Sequence, residues 1–539
     1  MRPRPASLAL LAVAAGIGTA LLLAGCAGSN RDPRPQAGSA LAAARPTSAS
    51  AGQRGLPPTG AGGAPGQPYA LGSTITVDVE PEAIGAPMPG GFLGLSLEYP
   101  TLEHYVGTDP RHLDPVFLAL LRALDPGQTS VIRLGGDSTD RTWWPIHRMR
   151  APAGIDFALT HRWTVLARAL ASATGGKLIL GINLAADRRH LAAIEARRLV
   201  AGVGAHHIAA LEIGNEPDDY GATAWYWKHG QRVLARTSTY SVGDYLAQFA
   251  GWRAVMPRSV PLAGPALART QWMSATLPAE LGGRRPVSLV TFHRYPLRAC
   301  ETNPLASDYP TIARLLSNPS SAGLAAPVAP YVAIAQRARR PLRLDELNSV
   351  SCEGKRGVSN TFASALWMLD TLFNMRAVGV QGVNVHMLPG SAYQAFSVQR
   401  SRRRWSASVS PAYYGMLTFA RAFPPGARLL SVTAPAGPVK AWATRSADGR
   451  VRVVLINQDP AAPVTVRVRL PGPQTTLSSQ ALLAPSVSAS RHVSLGGETF
   501  GSSTRTGVLP TDRRPGTVSS VQGYYSVSVP AASAALLTR

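Results

Sequence analysis

Short apolar segments alternate with helical patterns along the chain from about residue 70 onward. Eight segments have the length and apolar character of buried strands; they span 92–98, 131–136, 177–183, 210–216, 262–266, 288–293, 342–346 and 380–386. Between them lie amphipathic patterns that predict helices, among them 115–124, 161–173, 188–202, 244–256 and 359–376. This alternation predicts an α/β fold, a (β/α)8 TIM barrel. A doubly wound open sheet is the alternative, but Gly90, Gly91 and Gly94 do not form the glycine-rich loop expected after its first strand.

The C-terminal part of the chain has a different pattern. Short alternating segments at 441–444, 451–456 and 464–468 are separated by turn residues, which is typical of a β-sandwich. We therefore expect a catalytic-type barrel over 69–424 and an accessory β-sandwich domain over 425–539. The alternating segment 74–79 precedes the barrel and is polar on one face, so it is expected either to open the barrel domain or to join the sandwich.

The N-terminal residues read as a targeting signal. Arg2 and Arg4 precede an apolar run over 8–23, which ends in Leu-Ala-Gly-Cys at Cys26 and looks like a bacterial lipoprotein signal box. That resemblance implies a signal over 1–26, lipid on Cys26, and a protein on the outer face of the cell membrane. An ordinary secretory signal or an uncleaved anchor is the alternative. Residues 27–68, rich in Ala, Gly and Pro, predict a flexible linker.

Charge and cysteine content narrow the possible partners. The chain has 54 Lys and Arg against 30 Asp and Glu, a net charge of +24, which favours acidic polymers as partners or reflects an arginine-rich solvated surface. A nucleic-acid module is not indicated, because the densest basic run, 402–404, is short. If Cys26 carries lipid, Cys300 and Cys352 remain as a disulfide pair or as free thiols. No Cys/His spacing matches a zinc site, and no metal or organic cofactor is indicated.

Two glutamates stand where a TIM barrel carries its chemistry, at the C-terminal ends of its strands. Glu216 ends the fourth predicted strand and Glu346 ends the seventh, on opposite sides of one barrel mouth. Two facing carboxyl groups are what glycosidic cleavage requires, one as acid/base and one as nucleophile. The alternatives are that Glu216 caps the following helix and that Asp345 replaces Glu346. Strand alternation places Leu342, Leu344 and Glu346 on one face, which favours Glu346.

Other polar residues also stand at predicted strand ends. Asn215 is placed to hydrogen-bond a sugar hydroxyl, and Arg133 and Tyr295 to hold Glu346 ionised by charge and hydrogen bonds. His293 and His386 are candidates for lining the sugar pocket, and Glu98 and Asp137 are further candidates for it. Arg133 has a structural ion pair as its alternative role, and His293, Tyr295 and His386 have barrel-rim positions as theirs.

At these residues the chain resembles clan A glycoside hydrolases, and most of all glycoside hydrolase family 79, the β-glucuronidases and heparanases. The stretches that carry the resemblance are 94–99 (GLSLEY), 133–138 (RLGGDS), 212–218 (EIGNEPD), 346–349 (ELNS) and 357–362 (GVSNTF). It covers about 70–539 and implies a retaining enzyme on β-linked glucuronides, with Glu216 as acid/base and Glu346 as nucleophile. Many relatives have Thr between the Glu and Asn of the nucleophile segment. Glu353, just beyond that segment, would repel a uronate if it faced the pocket.

Three functions follow as hypotheses. The first is a retaining β-glycosidase acting on glucuronides, such as those of acidic polysaccharides or glycoconjugates, with a neutral β-glycoside as the alternative substrate. The second is a carbohydrate binder that has kept the barrel without turnover. The third is a cell-wall lipoprotein whose basic charge holds anionic polymers.

Overall fold

The computed structural model describes residues 72–127, 129–402 and 404–539. The predicted signal over 1–26, the lipid on Cys26 and the linker over 27–68 lie outside these described residues and stay predictions. Within the described ranges, no helix combines the length and the apolar character needed to cross a membrane.

A closed barrel of eight parallel strands forms the centre of the fold, as the alternating pattern predicted. Each strand pairs with the next along the chain, and the eighth closes onto the first. Every residue of four of these strands is buried, and the other four are buried at all but one or two positions, because helices cover the outside of the sheet. In order, the barrel strands are Leu93–Glu98, Val131–Gly135, Lys177–Ile182, Ile208–Ile213, Leu262–Leu267, Leu289–Arg294, Leu342–Leu347 and Gly382–Met387.

The helices around the barrel begin and end at recognisable signals. Thr160 accepts a hydrogen bond from the backbone N–H of Trp163 at one helix start, and Ser241 and Asp244 form a reciprocal capping box at another. The α-helices are Leu102–Val106, Pro115–Ala123, His161–Thr174, Arg189–Val203, Val242–Val255, Met273–Leu281, Ile312–Leu315, Ala322–Ala325, Ala329–Arg337, Phe362–Ala377 and Pro411–Ala422. Short 3-10 helices lie at Tyr99–Thr101, Gly136–Arg141, Ala205–His207, Pro217–Asp219, Asn318–Ser320 and Ala326–Val328.

Small two-stranded sheets extend the loops that follow the barrel strands. Because each of these loops leaves the C-terminal end of a strand, the small sheets belong to the loops that build the barrel mouth. They pair Thr142–Trp143 with Phe157–Ala158, Ala224–Lys228 with Gln231–Leu234, Leu297–Arg298 with Val350–Ser351, and Phe396–Ser401 with Arg404–Val409.

Polar side chains fill much of the barrel interior. Arg133 on the second strand reaches across to Asp345 on the seventh, with 3.0 Å between Nε and Oδ2. Nearer the N-terminal end, Arg343 Nη1 donates to Asn384 Oδ1 at 2.8 Å. Bulky aliphatic residues usually fill such barrels. In this barrel a network of hydrogen bonds and charges takes their place.

The seventh strand corrects one prediction from alternation. Arg343 and Asp345 point inward, so Leu342 and Leu344 face the helices, and the expectation that these leucines share the inner face with Glu346 is wrong. Against both neighbouring strands, the seventh strand has one extra residue between Leu344 and Leu347. This bulge turns Glu346 inward as well, so the site contains both acidic residues.

The C-terminal region forms an eleven-stranded sheet system with its own apolar core. The strand Thr74–Ile84 joins it, pairing antiparallel with Arg428–Thr433 and parallel with Val464–Arg469. Trp442 ties the sandwich to the barrel, because its Nε1 donates to Asp370 at 3.0 Å and its ring stacks on Phe373. The other strands are Val439–Arg445, Val451–Asn457, Leu477–Leu483, Ser494–Leu495, Gly516–Val518, Ser520–Val521, Tyr524–Val529 and Ser533–Thr538.

A disulfide joins Cys300 to Cys352, which confirms the predicted pairing. Cys300 lies in the loop after the sixth barrel strand and Cys352 in the loop after the seventh. The short parallel strands Leu297–Arg298 and Val350–Ser351 bring these loops side by side. The bond therefore fastens two adjacent loops at the mouth of the barrel.

We expect the double variant Cys300→Ser/Cys352→Ser to unfold at a lower temperature than the wild type. The two cysteines are 52 residues apart, and closing a loop of that length stabilises a fold by about 2–4 kcal/mol, because it restricts the unfolded chain. The measurement is thermal unfolding followed by circular dichroism. A reducing agent should destabilise the wild type and leave the variant unchanged; equal midpoints for oxidised wild type and variant would contradict the assignment.

Candidate active site

The backbone after the fourth barrel strand turns sharply and presents Glu216. Gly214 has φ +82°, a conformation that glycine adopts at low cost. Glu216 itself has φ 49°, in the left-handed region where non-glycine residues are uncommon, and its N–H donates to the Ala266 carbonyl at 2.9 Å. Its side chain makes no capping hydrogen bond to the 3-10 helix Pro217–Asp219, so the alternative role as a helix cap is not observed.

Glu216 and Glu346 face each other, with His293 beside them. One carboxylate oxygen of each glutamate and a ring nitrogen of His293 all lie within 4.8 Å of one another. His293 Nδ1 is 2.9 Å from Glu216 Oε1 and 4.0 Å from Glu346 Oε2. The fold thus brings together residues from the fourth, sixth and seventh strands, as the sequence predicted from their strand-end positions.

Glu346 is held at both of its carboxylate oxygens. Tyr295 Oη donates to Oε1 at 2.8 Å, and Arg133 Nη1 donates to Oε2 at 2.7 Å. His386 Nδ1 lies 3.7 Å from the same Oε2. Since hydrogen bonds to a charged group are the stronger kind, these contacts favour an ionised and fixed carboxylate.

Arg133 is completely buried and contacts several site residues at once. Besides Glu346, its Nη2 donates to Asn215 Oδ1 at 2.8 Å, and its Nε lies 2.7 Å from Glu212 Oε2 and 3.0 Å from Asp345 Oδ2. The expected contact with Glu346 is therefore present, and the alternative of a structural ion pair holds as well, because the same guanidinium serves both.

The two facing glutamates have opposite pKa shifts. Burial raises the pKa of Glu216 to about 7. The hydrogen bond from His293 opposes this rise, and the negative charge of Glu346 adds to it. Burial also acts on Glu346, but the imidazoles of His386 and His293 and the guanidinium of Arg133 outweigh it and lower its pKa to about 2. Near neutral pH one carboxyl group therefore holds a proton while the other is ionised.

His293 is positively charged in this setting. Burial opposes its charge, but the carboxylates of Asp345 and Glu346 raise the pKa of its imidazole well above the ordinary value. A protonated imidazole donates from both nitrogens, so Nδ1 serves Glu216 and Nε2 points toward Asp345, 3.6 Å away.

A third carboxyl group, that of Glu98, lies next to His386. Glu98 accepts hydrogen bonds from the backbone N–H groups of Asp137 at 3.2 Å and Ser138 at 2.8 Å, and its Oε1 is 3.5 Å from His386 Nε2. Burial, with the charge of Asp137, raises the pKa of Glu98 to about 8. Gly136, at φ +79°, allows this approach, since a Cβ there would lie 2.1 Å from Glu98 Oε1.

Asn215 links the two sides of the pocket. Its Oδ1 accepts from Arg133, and its Nδ2 donates to Asp137 Oδ1 at 3.3 Å. Every predicted site residue thus lies in one connected group around Glu216 and Glu346: Arg133, Asn215, His293, Tyr295, His386, Glu98 and Asp137.

Several members of this group were not predicted from the sequence. Glu212 contacts Arg133, as does Asp345, which the sequence offered only as a replacement for Glu346. Asp140 accepts from the backbone N–H groups of Asn215, Leu184 and Ala185. A charged residue within an otherwise apolar strand was the available signal for Glu212, because such a residue is seldom buried without a partner. Further missed contacts come from Ser96, whose Oγ is 3.3 Å from Arg133 Nη1, and from Tyr393, whose ring packs against His386 and Tyr295.

Within the described part of the chain, Glu216, His293 and Glu346 form the one group with the ligand types and spacing that a metal ion would need. The polar atoms of this group are already engaged with one another and with Arg133 and Tyr295. These contacts fit a protonated Glu216 next to an ionised Glu346.

Comparison with known proteins finds that this chain is similar to glycoside hydrolases. Residues 441–536 match the glycosyl hydrolase family 79 C-terminal beta domain. Over 280 residues the chain is 25% identical to a beta-glucuronidase of Aspergillus niger, a match that covers 46% of this chain and 47% of that protein. The chain thus matches about half the length of this curated relative.

Solved structures share the whole architecture. A 4-O-alpha-L-rhamnosyl-beta-D-glucuronidase from Fusarium oxysporum 12S superposes with a TM-score of 0.64 at 19% identity, over 86% of this chain and 100% of that one. The family 51 arabinofuranosidase from Xanthomonas axonopodis pv. citri gives 0.60 at 15% identity, over 87% and 100%. At these identities the likeness is one of fold, an eight-stranded barrel with an accessory β-sandwich. The matched C-terminal domain and the curated relative confirm the resemblance to glycoside hydrolase family 79.

We expect Arg133→Met to lower the free energy of unfolding by about 3–5 kcal/mol, because it removes the cation that lies nearest to the buried carboxylates of Asp345 and Glu346. Chemical denaturation measures the change. The control is Arg469→Met, which breaks an exposed ion pair with Asp78 and should cost less than about 1 kcal/mol. Equal losses in the two variants would refute the central role of Arg133.

Proposed function

We propose that this protein is a retaining glycoside hydrolase, with Glu216 as general acid/base and Glu346 as nucleophile. The observation that carries the proposal is the facing pair itself, with carboxylate oxygens within 4.8 Å. Retaining enzymes hold their two carboxyl groups about 5–5.5 Å apart, whereas inverting enzymes need about 6.5–9.5 Å to admit a water molecule. The spacing here supports double displacement.

The first step uses the opposite protonation states of the pair. Glu346, ionised, attacks the anomeric carbon, and Glu216 gives its proton to the oxygen of the leaving group as the glycosidic bond breaks. Tyr295 and Arg133 keep the nucleophile in one orientation. Asn215, fixed by Arg133, presents its amide beside the anomeric centre, where it can bind a sugar hydroxyl.

The second step follows from the loss of one charge. When Glu346 becomes an ester to the sugar, its negative charge no longer raises the pKa of Glu216. Glu216, now deprotonated and easier to keep ionised, takes a proton from water as that water attacks the anomeric carbon. The ester bond breaks, and Glu346 returns to its ionised state.

We expect Glu346→Gln to abolish hydrolysis of aryl β-glycosides and Glu216→Gln to lower kcat by about 10²–10⁴-fold for substrates whose leaving group needs a proton. Added azide should restore turnover of Glu216→Gln on a substrate with a strongly activated leaving group and yield a β-glycosyl azide, since azide needs no general base. The matched control is Glu280→Gln, which changes a buried glutamate behind the fifth strand that hydrogen-bonds Tyr245.

The pH profile of the wild type tests the same assignment. Because the acid must be protonated, kcat/KM should fall as pH rises through about 7, the pKa of Glu216. The nucleophile must be ionised, so its limb lies on the acid side, near pH 2. Proton NMR of the first-formed sugar should show the β anomer; the α anomer would contradict double displacement.

We infer a β-linked glucuronide as the first substrate candidate. The Aspergillus niger relative is named a beta-glucuronidase, and the Fusarium oxysporum structure is that of a rhamnosyl-glucuronidase. The net charge of +24 would gather acidic glycans near the protein.

A neutral β-glycoside is the second candidate, and the charges around the pocket favour it. Glu98 and Asp137 add carboxyl groups beside Glu346. The buried cations there, Arg133 and His293, already serve Glu346 and Glu216, so neither is free for a uronate. Glu353, on the exposed loop after the seventh strand, adds a negative charge nearby.

A panel of aryl β-glycosides separates the two candidates, with glucuronide, glucoside, galactoside and xyloside assayed side by side. Cleavage of the glucuronide at the highest kcat/KM is the expected result for the first, and cleavage of neutral glycosides alone would transfer the assignment to the second. Absence of turnover on this panel and on oligosaccharides would favour a carbohydrate-binding protein.

A further inference from the structure

Two fully buried carboxyl groups lie beneath the catalytic pair and compete for one hydrogen. Glu212 Oε2 and Asp345 Oδ2 lie 2.7 Å and 3.0 Å from the same atom, Arg133 Nε. That nitrogen carries a single hydrogen and can donate fully to only one of them. Among the described residues, no N–H or hydroxyl group donates to Asp345 Oδ1, Asp345 Oδ2 or Glu212 Oε1. Buried acceptors of this kind are rare and call for an explanation.

The charge balance of the cluster indicates where a proton belongs. Its cations are Arg133 on the second strand and His293 on the sixth, and its ionised carboxylates include Glu346 beside Asp345 on the seventh. Tyr99, whose hydroxyl donates to Gly181, also lies near Glu212 and is neutral. Two cations compensate two anions, so a third ionised carboxylate in this dry interior would be repelled by its neighbours.

We propose that Glu212 and Asp345 share one proton, and that this carboxyl pair positions Arg133 on Glu346 and His293 on Glu216. In this arrangement Glu212 carries the proton and donates to Asp345, and Asp345 is the anion that both cations contact. The catalytic consequence rests on the proposed glycosidase function, whereas the shared proton itself does not.

The titration behaviour of the pair agrees with this geometry. Burial raises the pKa of Glu212 to about 8 against the opposing charge of Arg133, and Asp345 adds to the rise. Burial acts in the same sense on Asp345, but Arg133 and His293 outweigh it and hold its pKa well below the usual range. An ionised Asp345 in turn keeps His293 protonated, so that His293 donates to Glu216.

The pair is therefore a set of positioning residues two contacts away from the substrate. Without the proton, Glu212 and Asp345 would repel each other across Arg133, and the guanidinium would shift away from Glu346. Without the charge on Asp345, His293 would lose its proton and Glu216 its donor. Both changes alter the protonation of the catalytic pair more than the binding of substrate, so kcat and the pH profile report on them.

Infrared difference spectroscopy of the folded protein near neutral pH tests the proton directly, without any turnover. The spectrum of the wild type minus that of Glu212→Gln should contain the carbonyl band of a protonated carboxyl group, with an isotope shift in heavy water. Glu280→Gln is the matched control, because burial raises the pKa of Glu280 to about 8 as well and its loss should give a band of the same kind. If Glu280→Gln gives the band and Glu212→Gln does not, the proposal is overturned.

Kinetics test the positioning role by rescue. Glu212→Ala should lower kcat at least tenfold with a much smaller change in KM and should move the alkaline limb of the pH profile. Glu212→Gln should recover most of the loss, since a neutral amide can donate to Asp345 as the protonated carboxyl does. Equal damage in Glu212→Ala and Glu212→Gln would show that an ionised Glu212 is needed and would overturn the proposal. Because the infrared result stands without turnover, an inactive wild type would refute the glycosidase function alone.

Discussion

The guanidinium of Arg133 is the constraint on which the rest of the site depends. It is completely buried, and it joins the second strand to the fourth through Glu212 and Asn215 and to the seventh through Asp345 and Glu346. A planar group with donors in fixed directions holds several partners at once, which a lysine ammonium does not. The polar barrel interior follows from this, because burying one cation requires buried anions on the strands that face it.

The same constraint separates the roles of two chemically identical side chains. Glu346 lies within reach of Arg133, Tyr295 and His386 and is therefore ionised. Glu216 is partly buried beside an anion, and within the described part of the chain His293 is its only side-chain donor, so it retains its proton near neutral pH. In the proposed mechanism, the roles of acid and nucleophile are thus assigned by the environment of each carboxyl group.

Sequence patterns predicted the barrel, the two facing glutamates and the disulfide, and each rests on a local signal. The segment Gly214-Asn215-Glu216 at the end of an apolar strand predicts a site residue, because the C-terminal ends of barrel strands converge on one mouth. The inner face of the seventh strand was misjudged, since an extra residue between Leu344 and Leu347 breaks the alternation. A bulge depends on pairing with two neighbouring strands, so no pattern within one strand reveals it.

The fold class, the order of the strands and the residues at their ends could be predicted from the chain alone, because hydrophobic periodicity and chain order are properties of the chain. Tertiary structure decided which of those residues touch, and hence which carboxyl groups are charged. Glu212 and Asp345 are 133 positions apart from each other in the chain, yet they meet at one nitrogen of Arg133. A pKa depends on distance and burial in three dimensions, and neither is written in the order of the residues.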